Sequence, residues 1–329
     1  MDSLEFRTKY ELEKVVESDS YISNNCLVSV CVQTYQHVDF ITDCIESILK
    51  QKTKFDFEIL IGDDDSTDGT RQICEKYSKL YPNKIRLFYH HRKNNIQIKG
   101  QPTGRFVMMT NFYNANSKYI ALCEGDDYWI DEFKLQKQID LLENKEIYVA
   151  SFTNAIIIDK GKKVNTYNNR KKETYSTFDV IEQGGGFYPT ASLVFRNKIR
   201  DWPNFMFNYR SGDRILSLLL SLYGEFYYHD EITCAYRLHD QGVFNSIKEN
   251  ANVRQKINYE NIQLLKDFDD FSKKKYHRAI KKNTSRLAKV GLLKNNKIVL
   301  DKPTRMALRE LNFLDWLSFL KTYLLKNVA

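Results

Sequence analysis

Short apolar stretches alternate with longer amphipathic ones through the first 150 residues, and their spacings differ. Residues 27–33 are apolar almost without interruption, which predicts a buried strand, and 39–50 carry Ile41, Cys44, Ile45, Ile48 and Leu49 at helical spacing. Residues 57–61 predict a second strand, broken by Gly62 and an acidic run. The helix after it sets Ile73, Tyr77 and Leu80 on one face and stops at Tyr81-Pro82-Asn83. Strands over 84–89 and 119–123 and helices over 104–116 and 132–144 continue the alternation, the last marked by Leu135, Ile139 and Leu142. Strand and helix in turn, joined by short loops, predict an α/β fold: a Rossmann-like, mostly parallel sheet with helices on both faces. Such sheets bind ligands at the carboxyl ends of their strands.

Further along, 148–159 reads as a strand, 161–174 as a polar, basic loop, and Gly184-Gly185-Gly186 as a turn or mobile loop before the apolar run 188–195. Beyond Ser246 the pattern turns helical and lysine-rich. The expected organisation is an N-terminal extension over 1–25, an α/β domain over 26–246 and a basic helical C-terminal region over 247–329. In the last helix Phe313, Leu317, Leu320 and Leu324 share one face, and Asp315, Ser318, Thr322 and Lys326 the other. That apolar face suits packing on the α/β domain, a membrane interface or a dimer.

Composition narrows the class. With 329 residues, 42% hydrophobic and 28% charged, the chain can bury a sizeable core and reads as soluble and globular. Its net charge of +8 sits unevenly: residues 248–329 hold 19 Lys and Arg against 8 Asp and Glu, so the remainder is slightly acidic. Residues 1–14 lack the apolar core of a secretory signal, and no stretch of 18 apolar residues occurs, so a cytoplasmic protein is expected. The six cysteines form no C-x-x-C pair and read as reduced core thiols.

Three constellations carry candidate chemistry. Asp63-Asp64-Asp65-Ser66-Thr67-Asp68-Gly69-Thr70 links a buried strand to a helix. Three consecutive carboxylates repel one another, so Asp64 is assigned a ligand role and Asp68 a helix cap. Glu124-Gly125-Asp126-Asp127-Tyr128-Trp129 again follows an apolar strand. Carboxylates gathered there are costly unless a hard cation such as Mg2+ or Mn2+ neutralises them, and Asp126 is the leading ligand. Ser211-Gly212-Asp213-Arg214 opens an apolar helix, where Asp213 is either a cap or a reactive carboxylate. His90, His91 and Arg92 follow a strand and either line a ligand site or simply close the strand.

Taken in order, these motifs resemble the family 2 inverting glycosyltransferases of the GT-A fold. The likeness rests on Val28-Ser29-Val30 with Gln33-Thr34-Tyr35, on the Asp63–Thr70 stretch and on Glu124 to Trp129; with Lys134-Leu135-Gln136-Lys137-Gln138 it is similar to bacterial members that build capsules, O-antigens and exopolysaccharides. It covers about 26–246 and fades after the glycine-rich loop. It implies a GT-A domain with a C-terminal helical extension. The activity it implies is metal-dependent transfer of a sugar from a nucleotide sugar, UDP by default, to a glycan or lipid-linked acceptor. Carried over residue by residue, it implies a nucleotide site of Thr34, Tyr35 and Asp64, with Glu124, Asp127 and Arg237 beside the donor. It further implies a divalent metal on Asp126, with His239 as a second candidate, and Asp213 as the catalytic base. Glu124 departs from the usual Asp of the D-x-D motif, and Asp65 from the usual glycine. Tyr236-Arg237-Leu238-His239-Asp240-Gln241-Gly242-Val243 resembles a segment that closes the catalytic domain.

Other classes explain less. A sugar-phosphate nucleotidyltransferase needs a glycine-rich phosphate loop near its start, and the G-x-G-x-x-G of nicotinamide enzymes is missing too. Binding to an anionic membrane or to nucleic acid accounts for the basic tail alone, so it is kept as an accessory property at the inner face of the membrane, with a homo-oligomer left open and nucleic acid not expected.

Overall fold

The computed structural model describes residues 1–168, 170, 172–184, 186–239, 251–293 and 308–327, with 251–256, 290–293 and 322–327 by their backbone only. It divides into two compact units, one of Met1–Ser176 with Gly186–Arg237 and one of Thr177–Gly185 with Leu238–Ala329.

The first unit is built on one mixed sheet. Its strands are β1 (Val16–Glu17), β2 (Val28–Thr34), β3 (Phe57–Asp63), β4 (Ile85–Tyr89), β5 (Tyr119–Leu122), β6 (Tyr128–Trp129), β7 (Tyr148–Asp159), β8 (Lys162–Thr166), β9 (Thr174–Tyr175), β10 (Val194–Arg196) and β11 (Glu225–Leu238). They run in the order β1-β4-β3-β2-β5-β10-β7-β11-β6, with β8 on β7 and β9 on β11. Strands β4-β3-β2-β5 pair parallel; β1 pairs antiparallel with β4, β10 with both β5 and β7, β8 with β7, and β6 and β9 with β11. The α/β expectation holds: the sheet is mixed, and β10 lies antiparallel between β5 and β7, which therefore run the same way. The stretch expected as a loop over 161–174 instead folds back as β8, because Lys160 and Gly161 both take positive φ and close a tight turn.

The parallel half follows directly from residue type. β3 is buried along its whole length and β2 at all but Gln33, so both faces must be covered. Helix α2 (Ile41–Leu49) inserts Ile41, Cys44, Ile45 and Ile48 on one side, and α4 (Arg105–Asn114) covers the other with Phe106, Val107 and Met109. Chain order leaves β2 between β3 and β5, so the crevice at its carboxyl end is the topological switch point of the sheet. Five of the six cysteines are buried and all six are unbridged.

The first 25 residues are not a detached extension. Asp2 and Glu5 form a reciprocal capping box on α1 (Ser3–Tyr10), which buries Phe6 against Phe106, Tyr113 and Phe207, and β1 pairs with the edge strand β4. The second unit is helical: α6 (Thr177–Gln183), α8 (Ala251–Phe271), α9 (His277–Leu293) and α10 (Phe313–Asn327) gather Ile262, Leu265, Phe268, Ile280 and Phe319. The boundary expected near Ser246 lies outside the described residues; the units divide between Arg237 and Leu238. No helix among the described residues is long and apolar enough to cross a membrane.

Candidate active site

Three loops meet at the carboxyl ends of β2, β3 and β5. The turn after β2 holds Gln36 at a φ of 56°, and its side-chain oxygen accepts the backbone N–H groups of Thr67 at 2.8 Å and Asp68 at 3.2 Å. That staples the turn to the acidic loop after β3. Asp68 accepts Thr70 N–H at 3.0 Å at the entry to α3 (Thr70–Leu80), close to its expected capping task.

The three consecutive carboxylates separate into distinct environments. Asp63 is fully buried and takes Arg71 Nε at 2.6 Å, while Asp65, at a φ of 65°, pairs with Arg71 at 3.3 Å. Asp64 points elsewhere. Its Oδ2 accepts from Arg92 and, at 3.1 Å, from Asn95 Nδ2, while its buried Oδ1 has no partner. Burial pushes its pKa from the ordinary 3.8 up to about 6, against the pull of Arg92 and Asn95. Arg92 also lies 4.1 Å from the centre of the Tyr35 ring, and Tyr35 is 40% exposed. One wall therefore presents a flat aromatic surface beside a carboxylate with a free acceptor. His90 belongs to the core instead: it stands edge-on to Phe106, and burial lowers its pKa to about 3, which keeps it neutral.

The second group follows β5. Glu124, Asp126 and Asp127 offer carboxylate oxygens that all lie within 4.8 Å of one another. Asp127 is buried; its Oδ1 accepts Arg237 N–H at 2.9 Å and its Oδ2 has no partner. Burial, with the Asp126 charge next in weight, raises the pKa of both Glu124 and Asp127. Hard oxygen donors at this spacing, one of them buried and unmatched, fit a divalent cation. Arg237 crosses from β11, donates to Asp126 O at 3.1 Å, pairs with Asp43 and packs over Tyr128.

Thr34 and Gly125 join the two groups. Thr34 Oγ1 lies 3.2 Å from His37 Nδ1, and His37 Nε2 lies 4.0 Å from Asp126 Oδ2. A Cβ on Gly125 would meet Thr34 Oγ1 at 2.7 Å and His37 Nδ1 at 2.9 Å, so only glycine lets the loops approach this closely. Asp213 enters from the start of α7 (Gly212–Leu220), and its charge is felt by Glu124, Tyr167 and Arg105. His239 follows Arg237 by two residues and falls in the second unit, and Asp240–Val243 of the same segment lie outside the described residues.

Beneath this, the Lys134–Gln138 motif acts as a lock. Lys134 Nζ lies under the Trp129 ring at 4.4 Å and donates to Gln138 Oε1 at 2.8 Å, while Gln138 Nε2 ties Ser151 O and Ser192 O at 3.0 Å each. A separate cavity of about 420 Å3, lined by Asp43, Glu46, Trp129 and Glu132, shares none of the grouped carboxylates. His37, Asn95 and Arg105 were not legible as site residues, since nothing in their spacing marks them.

An exposed aromatic ring beside a carboxylate cluster at the switch point marks a ligand site on an α/β sheet of the GT-A type. The chain belongs to glycosyl transferase family 2, whose family model matches residues 29–202. An uncharacterized protein of Mycobacterium tuberculosis is 28% identical over 67% of this chain and 61% of its own length. The minor teichoic acid biosynthesis protein GgaA of Bacillus subtilis is 24% identical over 55% of this chain and 42% of its own. The chain thus spans less than two thirds of the length of these curated relatives. Among solved structures, S. aureus TarS 1-349 in complex with UDP-GlcNAc shares the fold with a TM-score of 0.54 at 16% identity, over 90% of this chain and 91% of that one. The mannosyltransferase PcManGT from Pyrobaculum calidifontis, in complex with GDP-Man and Mn2+, gives 0.51 at 12% identity, over 99% and 94%.

Proposed function

We propose that this chain is a metal-dependent inverting glycosyltransferase that moves a sugar from a UDP-sugar to a hydroxyl of a glycan or lipid-linked acceptor in bacterial surface polysaccharide synthesis. The observation that carries it is the convergence of Glu124, Asp126 and Asp127 within 4.8 Å at the end of β5, with Asp213 near enough for its charge to act on Glu124. GgaA, a teichoic acid biosynthesis protein, and the UDP-GlcNAc complex of TarS support the substrate class.

Tyr35 offers its ring to the base, and the free Oδ1 of Asp64 accepts an imide N–H such as that of uracil. Asp126, with Glu124 and Asp127 beside it, would hold Mn2+ or Mg2+, which when bound supplies Lewis-acid stabilisation of the leaving diphosphate. The Mn2+ complex of PcManGT supports that ion class. Arg237 fixes the backbone of this loop through Asp126 O and the carboxylate of Asp127. Asp213 takes the proton of the acceptor hydroxyl as it attacks the anomeric carbon, and one direct displacement inverts that centre.

A screen of nucleotide sugars for hydrolysis and transfer, with and without Mn2+, tests the reading. Failure to bind UDP and to turn over any donor would sink it.

The lipid-linked acceptor also suggests where the chain works: at the cytoplasmic face of the membrane. Asp315 of α10 turns inward to Ser285 Oγ at 2.6 Å and Lys289 Nζ at 3.3 Å, which leaves Phe313, Leu314, Trp316 and Leu317 exposed. An apolar stripe with a tryptophan, on a region with a surplus of 11 positive charges, suits an anionic bilayer surface better than a second, equally basic copy. Flotation with anionic vesicles that leaves the protein behind counts against this part alone.

A further inference from the structure

Arg105 opens α4 and is only 4% exposed, yet among the described residues no carboxylate takes its guanidinium. It spends its donors on backbone instead: Nη1 on Met206 O at 2.5 Å, and Nη2 on Tyr209 O and Arg210 O at 3.2 Å each. These carbonyls belong to the irregular stretch that leads from the turn at 204–207 into α7, and Asp213 comes three residues after the last of them. Loops of this kind are mobile unless their backbone groups are tied down. Gly212 fits against the same guanidinium, since a Cβ there would meet Arg105 Nη2 at 2.7 Å and Cζ at 2.9 Å. From the other side, Ser217 Oγ donates to Asp213 O at 2.7 Å and Tyr188 Oη to the same oxygen at 3.3 Å. A single buried cation at the start of a helix thus clamps three backbone carbonyls, those of Met206, Tyr209 and Arg210, just ahead of the candidate base.

We propose that Arg105 is a positioning residue for Asp213, holding the 206–212 segment so that the carboxylate stands at the acceptor side of the cleft. This rests on the glycosyltransferase reading and on Asp213 as base. The nucleotide wall of Tyr35, Asp64 and Arg92 lies on other loops and does not depend on the clamp. Loss of the clamp therefore separates two quantities: the transfer step slows while donor binding persists. A misplacement of about 1 Å at a reacting group costs on the order of 100-fold.

The experiment compares wild type with Arg105→Met, Arg105→Lys and Gly212→Ala, measuring kcat, acceptor and donor KM, and UDP affinity by calorimetry. Expected are a fall in kcat of roughly 10- to 100-fold for Arg105→Met, UDP affinity within about threefold, and partial recovery in Arg105→Lys, which keeps the charge but not the fork. Gly212→Ala should show the same split, and it carries the test if Arg105→Met does not fold. The proposal is overturned if either variant keeps kcat within twofold of wild type, or if kcat and UDP affinity fall together. The underlying reading fails separately: an inactive wild type, or an active Asp213→Asn, sinks the base rather than the clamp.

Discussion

Asp64→Asn should make the unliganded protein more stable and worse at binding its nucleotide. Burial raises the Asp64 pKa from 3.8 to about 6, so the native state binds its proton more tightly than the unfolded chain. Between those two values the native state therefore holds the extra proton, and stability falls as pH rises through that window. Above pH 6 the full cost stands, about 3 kcal/mol at about 1.4 kcal/mol per unit. An asparagine carries no such cost. Its amide can still accept from Arg92 and Asn95, but its NH2 then fills the unpartnered Oδ1 position, which costs about 1 kcal/mol. The net gain is about 1–2 kcal/mol at pH 7.5, or roughly 2–8 °C in Tm for a unit of this size. Near pH 4 the native carboxyl is protonated and the unfolded one roughly 40% so, which leaves little of the cost, and the advantage disappears. Thermal melts at pH 4 and 7.5, with UDP titrations beside them, measure this. A variant that melts below wild type at pH 7.5, or gains equally at both pH values, would show that Asp64 is well paired rather than held in readiness for a ligand. Unchanged UDP affinity would remove it from the base site.

Further predictions follow from the same geometry. Asp213→Asn should cut turnover by about 10²- to 10⁴-fold with UDP affinity preserved; a variant that still transfers sugar removes the base assignment. Asp126→Ala should abolish the Mn2+-dependent gain in donor affinity, read by calorimetry with and without Mn2+, and an undiminished gain would point to other ligands. Tyr35→Ala should weaken UDP binding by about 1–3 kcal/mol, the usual worth of a base stacked on an aromatic ring. Gly125→Ala should destabilise the fold by about 1–3 kcal/mol through overpacking against Thr34 and His37, visible as a lower denaturation midpoint.

The local pattern of the chain determined a good deal. Strands β2 to β5 and the helices between them were legible because apolar runs and helical spacing reflect burial on both faces of a parallel sheet. The acidic turns were legible because like charges gather at a strand end only for a reason outside folding. The sequence pattern missed β8 and the integration of α1, since a polar hairpin and a short capped helix carry little periodicity. It also left open which way the last helix faces, and the structure turns Asp315 inward because Ser285 and Lys289 wait there with donors. Only tertiary structure could sort Asp63, Asp64 and Asp65 into two paired with Arg71 and one that pairs with Arg92 yet keeps an unpartnered oxygen, because the sorting depends on where Arg71 and Arg92 arrive. The same holds for Arg105, a single basic residue at a helix start whose partners stand about a hundred positions away along the chain. Spacing reports which face a side chain occupies; long-range contact alone reports what that side chain meets.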